Sequence, residues 1–333
     1  MSWNKPFILT PSSKDYLWGG SRINDDFGKK ISSYPLAETW ECSTHPDGPS
    51  HLVTGEDLRE VLTAHPEYLG THPLQTTNGR PELPILIKLI DAKQDLSVQV
   101  HPDDEYARKH EGQWGKTEMW YVLAAKKNAE LVYGFNQDVN ETQVRKAVYE
   151  GNIGSLLNHV PVHKDDLFFI EAGTVHAIGA GCLVAEIQQS SNLTYRLYDY
   201  DRIDRTGKKR DLHIDKALRV ARLSSSVAPR QPMRVLKYRS GVASELLTRC
   251  KYFQVERVLL NTETQRNLVS FQTGKNSFHA WLCTDGCGNI SWYGRDDGDK
   301  GGMNFFKGDC IFVPADSVEL KLHGKAQLLK VSC

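Results

Sequence analysis

Ser97, Gln99 and His101 stand two residues apart in Leu96-Ser-Val-Gln-Val-His-Pro102. Lys116 and Glu118 repeat that spacing in Gly115-Lys-Thr-Glu-Met-Trp-Tyr-Val-Leu123. Both segments read as strands, and residues two apart in a strand project from one face. Val98 and Val100 take the other face. A Gln, a His and a Glu offered by neighbouring strands can converge on one metal ion, and His176, closing Gly173-Thr-Val-His176, adds a second imidazole. Nitrogen and oxygen ligands of this kind suit zinc and exclude a thiolate-dominated structural site. One carboxylate against a divalent cation leaves the site net positive, which favours a substrate that develops negative charge on oxygen.

Two further cations sit in strand-like runs. Lys88 interrupts the apolar Leu86-Ile-Lys-Leu-Ile90, where its ammonium must reach solvent or meet an anion. Arg196 alternates with Tyr195 and Leu197 and therefore points to the face opposite Leu197. An inward arginine is costly unless paired, and Glu186 is one partner the sequence offers. Trp120 and Tyr121 read as packing residues. Asp103-Asp-Glu105 reads as a helix N-terminus complementing its dipole. Gly19-Gly20 and Gly179–Gly181 lack the surroundings of a phosphate loop.

The elements that must position these side chains are mostly strands. Short β-like runs cover Pro84–Ile90, Asp95–His101, Met119–Leu123, Asp166–Glu171, Leu183–Gln188 and Asp309–Pro314. Helical patterns are expected over Glu56–Leu69 after a Thr54 cap, Asp103–His110, Val139–Glu150 and His213–Arg222. Many strands with few helices predict a mainly β chain: a sandwich or jelly roll with helical insertions. Lys164–His176 is echoed by Lys307–Glu319, with Asp166 matching Asp309, Ala172 matching Ala315 and Val175 matching Val318. A turn-strand-turn unit used twice implies a repeated architecture. His176 becomes Glu319 in the second copy, so the scaffold repeats without that ligand. A boundary near Arg230 would divide residues 1–230 from 231–333.

The 333 residues carry 41 basic and 41 acidic side chains, interspersed, which excludes the basic stripe of a nucleic-acid or anionic-membrane binder. The N-terminal decapeptide lacks a signal-peptide layout, and no apolar run approaches the roughly 20 residues of a membrane helix. Seven scattered cysteines read as reduced thiols of a cytoplasmic protein. The composition sets no oligomeric state.

Several blocks then occur together in one order: Trp18-Gly-Gly20, Ala37-Glu-Thr-Trp-Glu41, Leu83–Lys88, Gln99-Val-His101, Gly115-Lys-Thr-Glu118, Ala172–Gly179, Glu186-Ile-Gln-Gln189 and Thr194-Tyr-Arg-Leu-Tyr-Asp199. With them the chain resembles the type I mannose-6-phosphate isomerases (phosphomannose isomerases) in their short bacterial form, within the cupin superfamily. The resemblance implies cupin-type jelly-roll barrels, the second degenerate. It implies one zinc ion per chain at Gln99, His101, Glu118 and His176, with Arg196 as active-site arginine. The implied reaction interconverts mannose 6-phosphate and fructose 6-phosphate by an enediol-type proton transfer. Glu186 and Lys116 are then candidates for moving the proton, and Ser97, Lys88 and Lys116 for contacting the phosphorylated hexose. Two residues depart from the pattern: Glu171 where Pro is expected and Asn192 where Asp is expected. The competing readings are another metal-cupin enzyme and a non-catalytic sugar-binding cupin.

Overall fold

The computed structural model describes residues 4–203, 207–227, 229, 231, 234–263, 268–293 and 300–333. The expected boundary residue Arg230 lies outside them. In chain order the first half contains β1 (Phe7–Thr10), β2 (Ser12–Lys14), β3 (Glu38–Cys42), β4 (His51–Leu52), β5 (Ile85–Asp91), β6 (Val98–Val100) and β7 (Glu118–Ala125). It continues with β8 (Glu130–Phe135), β9 (Leu157–Pro161), β10 (Leu167–Ile170), β11 (His176–Ile178), β12 (Cys182–Gln189) and β13 (Tyr195–Tyr198). The second half holds β14 (Lys237–Arg239), β15 (Val242–Arg249), β16 (Gln254–Asn261), β17 (Val269–Phe271), β18 (His279–Tyr293), β19 (Lys300–Phe306), β20 (Cys310–Val313) and β21 (Leu320–Ser332). The helices are α1 (Arg22–Phe27), α2 (Leu58–Ala64), α3 (Thr71–Thr76), α4 (Asp104–Glu111), α5 (Glu141–Tyr149) and α6 (Ile214–Val220).

Among the described residues three antiparallel sheets are formed. Their orders are β10-β7-β12-β5-β3-β2, then β13-β6-β11-β8-β9, then β14-β15-β16-β21-β18-β20-β1-β4 with β17 on β21 and β19 on β18. The mainly β, cupin-type architecture expected from the sequence is the one formed. β1 and β4, from the N-terminal end of the chain, extend the third sheet at its β20 edge.

Alternation decides the layers. In β7, Trp120 and Val122 face the second sheet and share a core with Phe168, Ile178 and Val184. Met119, Tyr121 and Leu123 face the opposite way and pack with Ile87, Ile187, Phe278, Leu282, Phe312 and Leu329 against the third sheet. The first sheet is thus buried on both faces, which explains the continuous apolar runs in β5, β7 and β12. The outer face of the second sheet is covered by α5 and α6 through Val98, Val100, Val144, Ala147 and Leu218.

Helix termini follow local chemistry. The Asp103 carboxylate accepts from Tyr106 N at 2.8 Å, and Gly112 closes α4 in the left-handed region (φ 65°). Asn140 and Gln143 form a reciprocal capping box on α5. The helix expected over Glu56–Leu69 is shorter: its cap is Asp57 rather than Thr54, and it ends at Ala64. Pro66, without an N–H, restarts the chain as a 3-10 turn.

The internal echo is a structural duplication. Asp166 accepts from His163 N at 2.7 Å ahead of β10, and Asp309 accepts from Phe306 N at 2.8 Å ahead of β20. Around them β10-β7-β12-β5-β3-β2 and β20-β18-β21-β16-β15-β14 run in the same spatial and sequential order. Even the ladder irregularities recur. Leu123 is skipped between β7 and β12 as Thr284 is between β18 and β21. Glu41 is skipped between β3 and β5 as Leu247 is between β15 and β16.

Phe312 is fully buried where the first and third sheets meet, stacked between Phe7 (5.2 Å) and Phe278 (5.0 Å). Phe312→Ala should therefore cost about 3–5 kcal/mol, read as a lowered urea midpoint with an unchanged slope.

Candidate active site

Register assembles the site from one row of residues on each of two facing sheets. Across the first sheet, Trp40 lies opposite Lys88, Lys88 opposite Glu186, Glu186 opposite Trp120, and Trp120 opposite Phe168. One step along, Glu118 lies opposite Gln188 and Ile170. Across the second sheet, Arg196 lies opposite Gln99, Gln99 opposite His176, and His176 opposite Tyr133. Directly opposed residues in an antiparallel ladder share a face. Polar side chains therefore gather between the two sheets.

His101, Glu118 and His176 are buried, with ligand atoms within 4.8 Å of one another. Glu118 Oε2 lies 3.6 Å from His101 Nε2, and Oε1 lies 3.5 Å from His176 Nε2. Gln99 Nε2 lies 3.4 Å from His176 Nε2, and rotating this amide presents its oxygen instead. His101 Nδ1 donates to Leu193 O at 2.8 Å, and His176 Nδ1 donates to Thr174 O at 2.8 Å. A carbonyl oxygen only accepts, so each ring carries its hydrogen on Nδ1 and turns a bare Nε2 lone pair inward.

Those two Nε2 atoms are 3.1 Å apart. Burial pushes the His101 pKa well below its ordinary value, reinforced by Lys116 and His176; burial also lowers His176 to about 4. Both rings are therefore neutral, and no proton lies between them. Glu118 Oε2 is paired with the Lys116 ammonium at 2.9 Å, while Oε1 has no hydrogen-bond partner. Two lone pairs and a carboxylate with one unpartnered oxygen, facing one point, are a donor set that could hold a cation. Nitrogens each about 2.0–2.1 Å from a tetrahedral zinc ion would be roughly 3.3 Å apart, close to the spacing present. The donor set fits such an ion.

Around this cluster lies a network of alternating charge. Lys116 Nζ is 2.9 Å from Glu118 and 3.8 Å from Glu186. Lys88 Nζ is 3.2 Å from Glu186 and 3.7 Å from Glu38, and lies over the Trp40 ring at 4.9 Å. Trp120 Nε1 donates to Glu186 at 3.0 Å, and Trp40 Nε1 donates to Glu38 at 2.8 Å. Burial works against the charge on Lys88, but Glu38, Glu186 and Glu118 outweigh it and raise its pKa. Burial works against Glu186 as well, and Lys116 with Lys88 overcomes it and holds that carboxyl low. Glu118 is raised, by burial first and then by Glu186. A divalent ion would supply the missing counter-charge.

The remaining expected residues fall into place with adjustments. Ser97 is buried immediately before β6. Lys116 is not in a strand, since β7 begins at Glu118; it reaches the cluster from the preceding loop. Glu186 is engaged by Lys88, Lys116 and Trp120, and the ion pair with Arg196 is not formed. Arg196 Nε is buried without a hydrogen-bond partner. Burial and the neighbouring Arg210 lower the Arg196 pKa. Asp199 in turn accepts from Arg210 at 2.7 and 2.6 Å. Glu171 sits on the surface, paired with Arg222 at 2.7 Å, and Asn192 donates to Asp47 at 2.8 Å. Glu38, Trp40 and Arg210 were given no role by the sequence reading. The alternation of Glu38 and Trp40 in β3 is the signal for the first two.

Residues 7–137 match the model of the phosphomannose isomerase type I catalytic domain. The chain is 36% identical over 333 residues to mannose-6-phosphate isomerase ManA of Bacillus subtilis (strain 168), covering 98% of each. It is 41% identical over 221 residues to the mannose-6-phosphate isomerase of Streptococcus mutans, covering 65% of this chain and 67% of that one. The crystal structure of the mannose 6-phosphate isomerase from Bacillus subtilis superposes with a TM-score of 0.85 at 32% identity, over 99% of both chains. The chain accordingly belongs to the type I mannose-6-phosphate isomerase (phosphomannose isomerase) family of enzymes.

Proposed function

We propose that this protein is a zinc-dependent aldose–ketose isomerase that interconverts mannose 6-phosphate and fructose 6-phosphate. The observation that carries the metal is the pair of bare imidazole nitrogens 3.1 Å apart beside the Glu118 carboxylate, whose Oε1 has no hydrogen-bond partner. Gln99, His101, Glu118 and His176 are the proposed ligands, for one ion per chain. When bound, zinc would act as a Lewis acid on the sugar's C1 and C2 oxygens, worth several kcal/mol of charge stabilisation.

The protein's own residues do the rest. The reaction moves a proton between C1 and C2 through an enediol-type intermediate. Lys116 and Glu186, 3.8 Å apart, are the protonatable pair next to the cluster and outside it, and we assign the proton relay to them. Lys88 is flanked by Glu38 and Glu186, so it offers the sugar a hydrogen bond but little net charge; Ser97 offers a hydroxyl. The anionic end of the substrate needs an uncommitted cation. Arg196, whose Nε is buried and unpartnered, supplies a planar donor that keeps its charge. We treat residues 1–230 as the catalytic cupin domain and 231–333 as the degenerate one. All seven cysteines are unbridged, which supports a reducing, cytoplasmic setting.

Chelator treatment should abolish conversion of mannose 6-phosphate, and added zinc should restore it; full turnover in metal-free protein would refute the zinc requirement. Arg196→Ala should lower turnover about 10²–10³-fold while the metal content stays at one per chain. Loss of metal in that variant would instead make Arg196 a structural support of Gln99.

A further inference from the structure

The row that floors the candidate site has a counterpart in the second barrel. Trp281 lies opposite Ile311 and Lys330 as Trp120 lies opposite Phe168 and Glu186. Lys330 lies opposite Glu256 as Glu186 lies opposite Lys88. Ser244 lies opposite Val258 as Glu38 lies opposite Ile90. His279, opposite Val313, stands where Glu118 stands opposite Ile170. The ion pair survives with its charges exchanged: Lys330 Nζ is 3.0 Å from Glu256, against 3.2 Å for Lys88 and Glu186.

This row is not filled in by packing. A cavity of about 540 Å³ opens over it, lined by Ser244, Glu256, Trp281 and Lys330 together with Phe271 and Lys237. That volume falls in the range of roughly 300–1,000 Å³ typical of small-molecule sites. Trp281 is 2% exposed, and its Nε1 has no hydrogen-bond partner. The equivalent Trp120 nitrogen donates to Glu186. Lys330 in the place of Glu186 has removed that acceptor and left the donor. His279 Nδ1 is likewise buried without a partner, and its ring lies 5.3 Å from Phe271. Phe271 meets Trp281 edge-on at 4.7 Å, which makes an aromatic wall.

Exchanging Glu118 for His279 and Glu186 for Lys330 removes the carboxylates a cation would need. What remains is rich in donors: an indole N–H, an ammonium in an ion pair, and Lys237 at the cavity. Such a lining selects a ligand rich in acceptors with an apolar ring face. We propose that the second barrel is a separate binding site for a hexose monophosphate. Its hydroxyls accept from Trp281 Nε1 and meet the Lys330–Glu256 pair, and its phosphate meets Lys237. The site lies on the far side of the core shared by the first and third sheets, and its occupancy does not require turnover in the first barrel.

The test follows indole N–H resonances of ¹⁵N-labelled full-length protein during titration with fructose 6-phosphate, and separately with fructose and with inorganic phosphate. The Trp281 resonance is the one missing from Trp281→Phe. It should move saturably with fructose 6-phosphate and not with either part alone, and Lys330→Met should abolish the movement while isomerase turnover is unchanged. Hydrogen exchange of the wild-type protein gives a readout that no variant can spoil: fructose 6-phosphate should protect peptides covering 254–261 and 279–293. A Trp281 resonance unmoved by fructose 6-phosphate, an equal response to phosphate alone, or unchanged exchange in those peptides would each overturn the proposal.

Discussion

Everything in the first barrel answers to one electrostatic constraint. Two neutral imidazoles, each tied by Nδ1 to a backbone carbonyl, aim lone pairs at each other across 3.1 Å next to a carboxyl that has Lys116 on one oxygen and no partner on the other. In a buried space such an arrangement is unfavourable by itself, because the Lys116 ammonium offsets only part of the concentrated electron density. A divalent cation would turn the same geometry into a favourable one. The carbonyls of Leu193 and Thr174 play the outer-shell part: they fix tautomer and ring orientation before any ion arrives.

The surrounding charges are arranged so that the barrel tolerates this. Glu38, Lys88, Glu186, Lys116 and Glu118 alternate in sign through contacts of 2.9 to 3.8 Å, with two indole N–H donors closing the chain at Glu38 and Glu186. Apart from Lys116, which reaches in from a loop, these groups sit on the inner face of a sheet whose other face is packed against the third sheet. The strands carrying Lys88, Glu118 and Glu186 therefore have solid core behind them. That rigidity is what a preorganised site requires. The duplicated barrel shows the same backbone with the electrostatics altered: the ion pair is inverted, a histidine stands in the place of Glu118, and among the described residues no His/Glu cluster like that of His101, Glu118 and His176 is formed there.

Much of this was legible in the sequence because strands have a period of two. Ser97, Gln99 and His101 could be placed on one face by counting, and so could Arg196 against Leu197. The repeated turn at Asp166 and Asp309 was visible because its carboxylate-to-backbone bond is local. What failed was non-local or broke the period. Arg196 does not meet Glu186 because Lys88, Lys116 and Trp120 already engage that carboxylate; no local pattern reports those non-local partners. Glu38 and Trp40 alternate in register ahead of the bulge at Glu41, but their place in the site comes from Lys88 on the neighbouring β5, which the sequence of β3 does not report. The Glu56–Leu69 helix was overextended because apolar periodicity continued past a proline that ends the hydrogen-bond ladder.

The central claim is that Gln99, His101, Glu118 and His176 hold one metal ion through nitrogen and oxygen. X-ray absorption at the zinc edge of zinc-loaded protein, with metal content measured on the same sample, tests it most directly. The account predicts one zinc per chain in a shell of nitrogen and oxygen containing two imidazoles, with one imidazole lost in His176→Ala. Sulfur in the first shell, or an unchanged spectrum and stoichiometry in that variant, would contradict it.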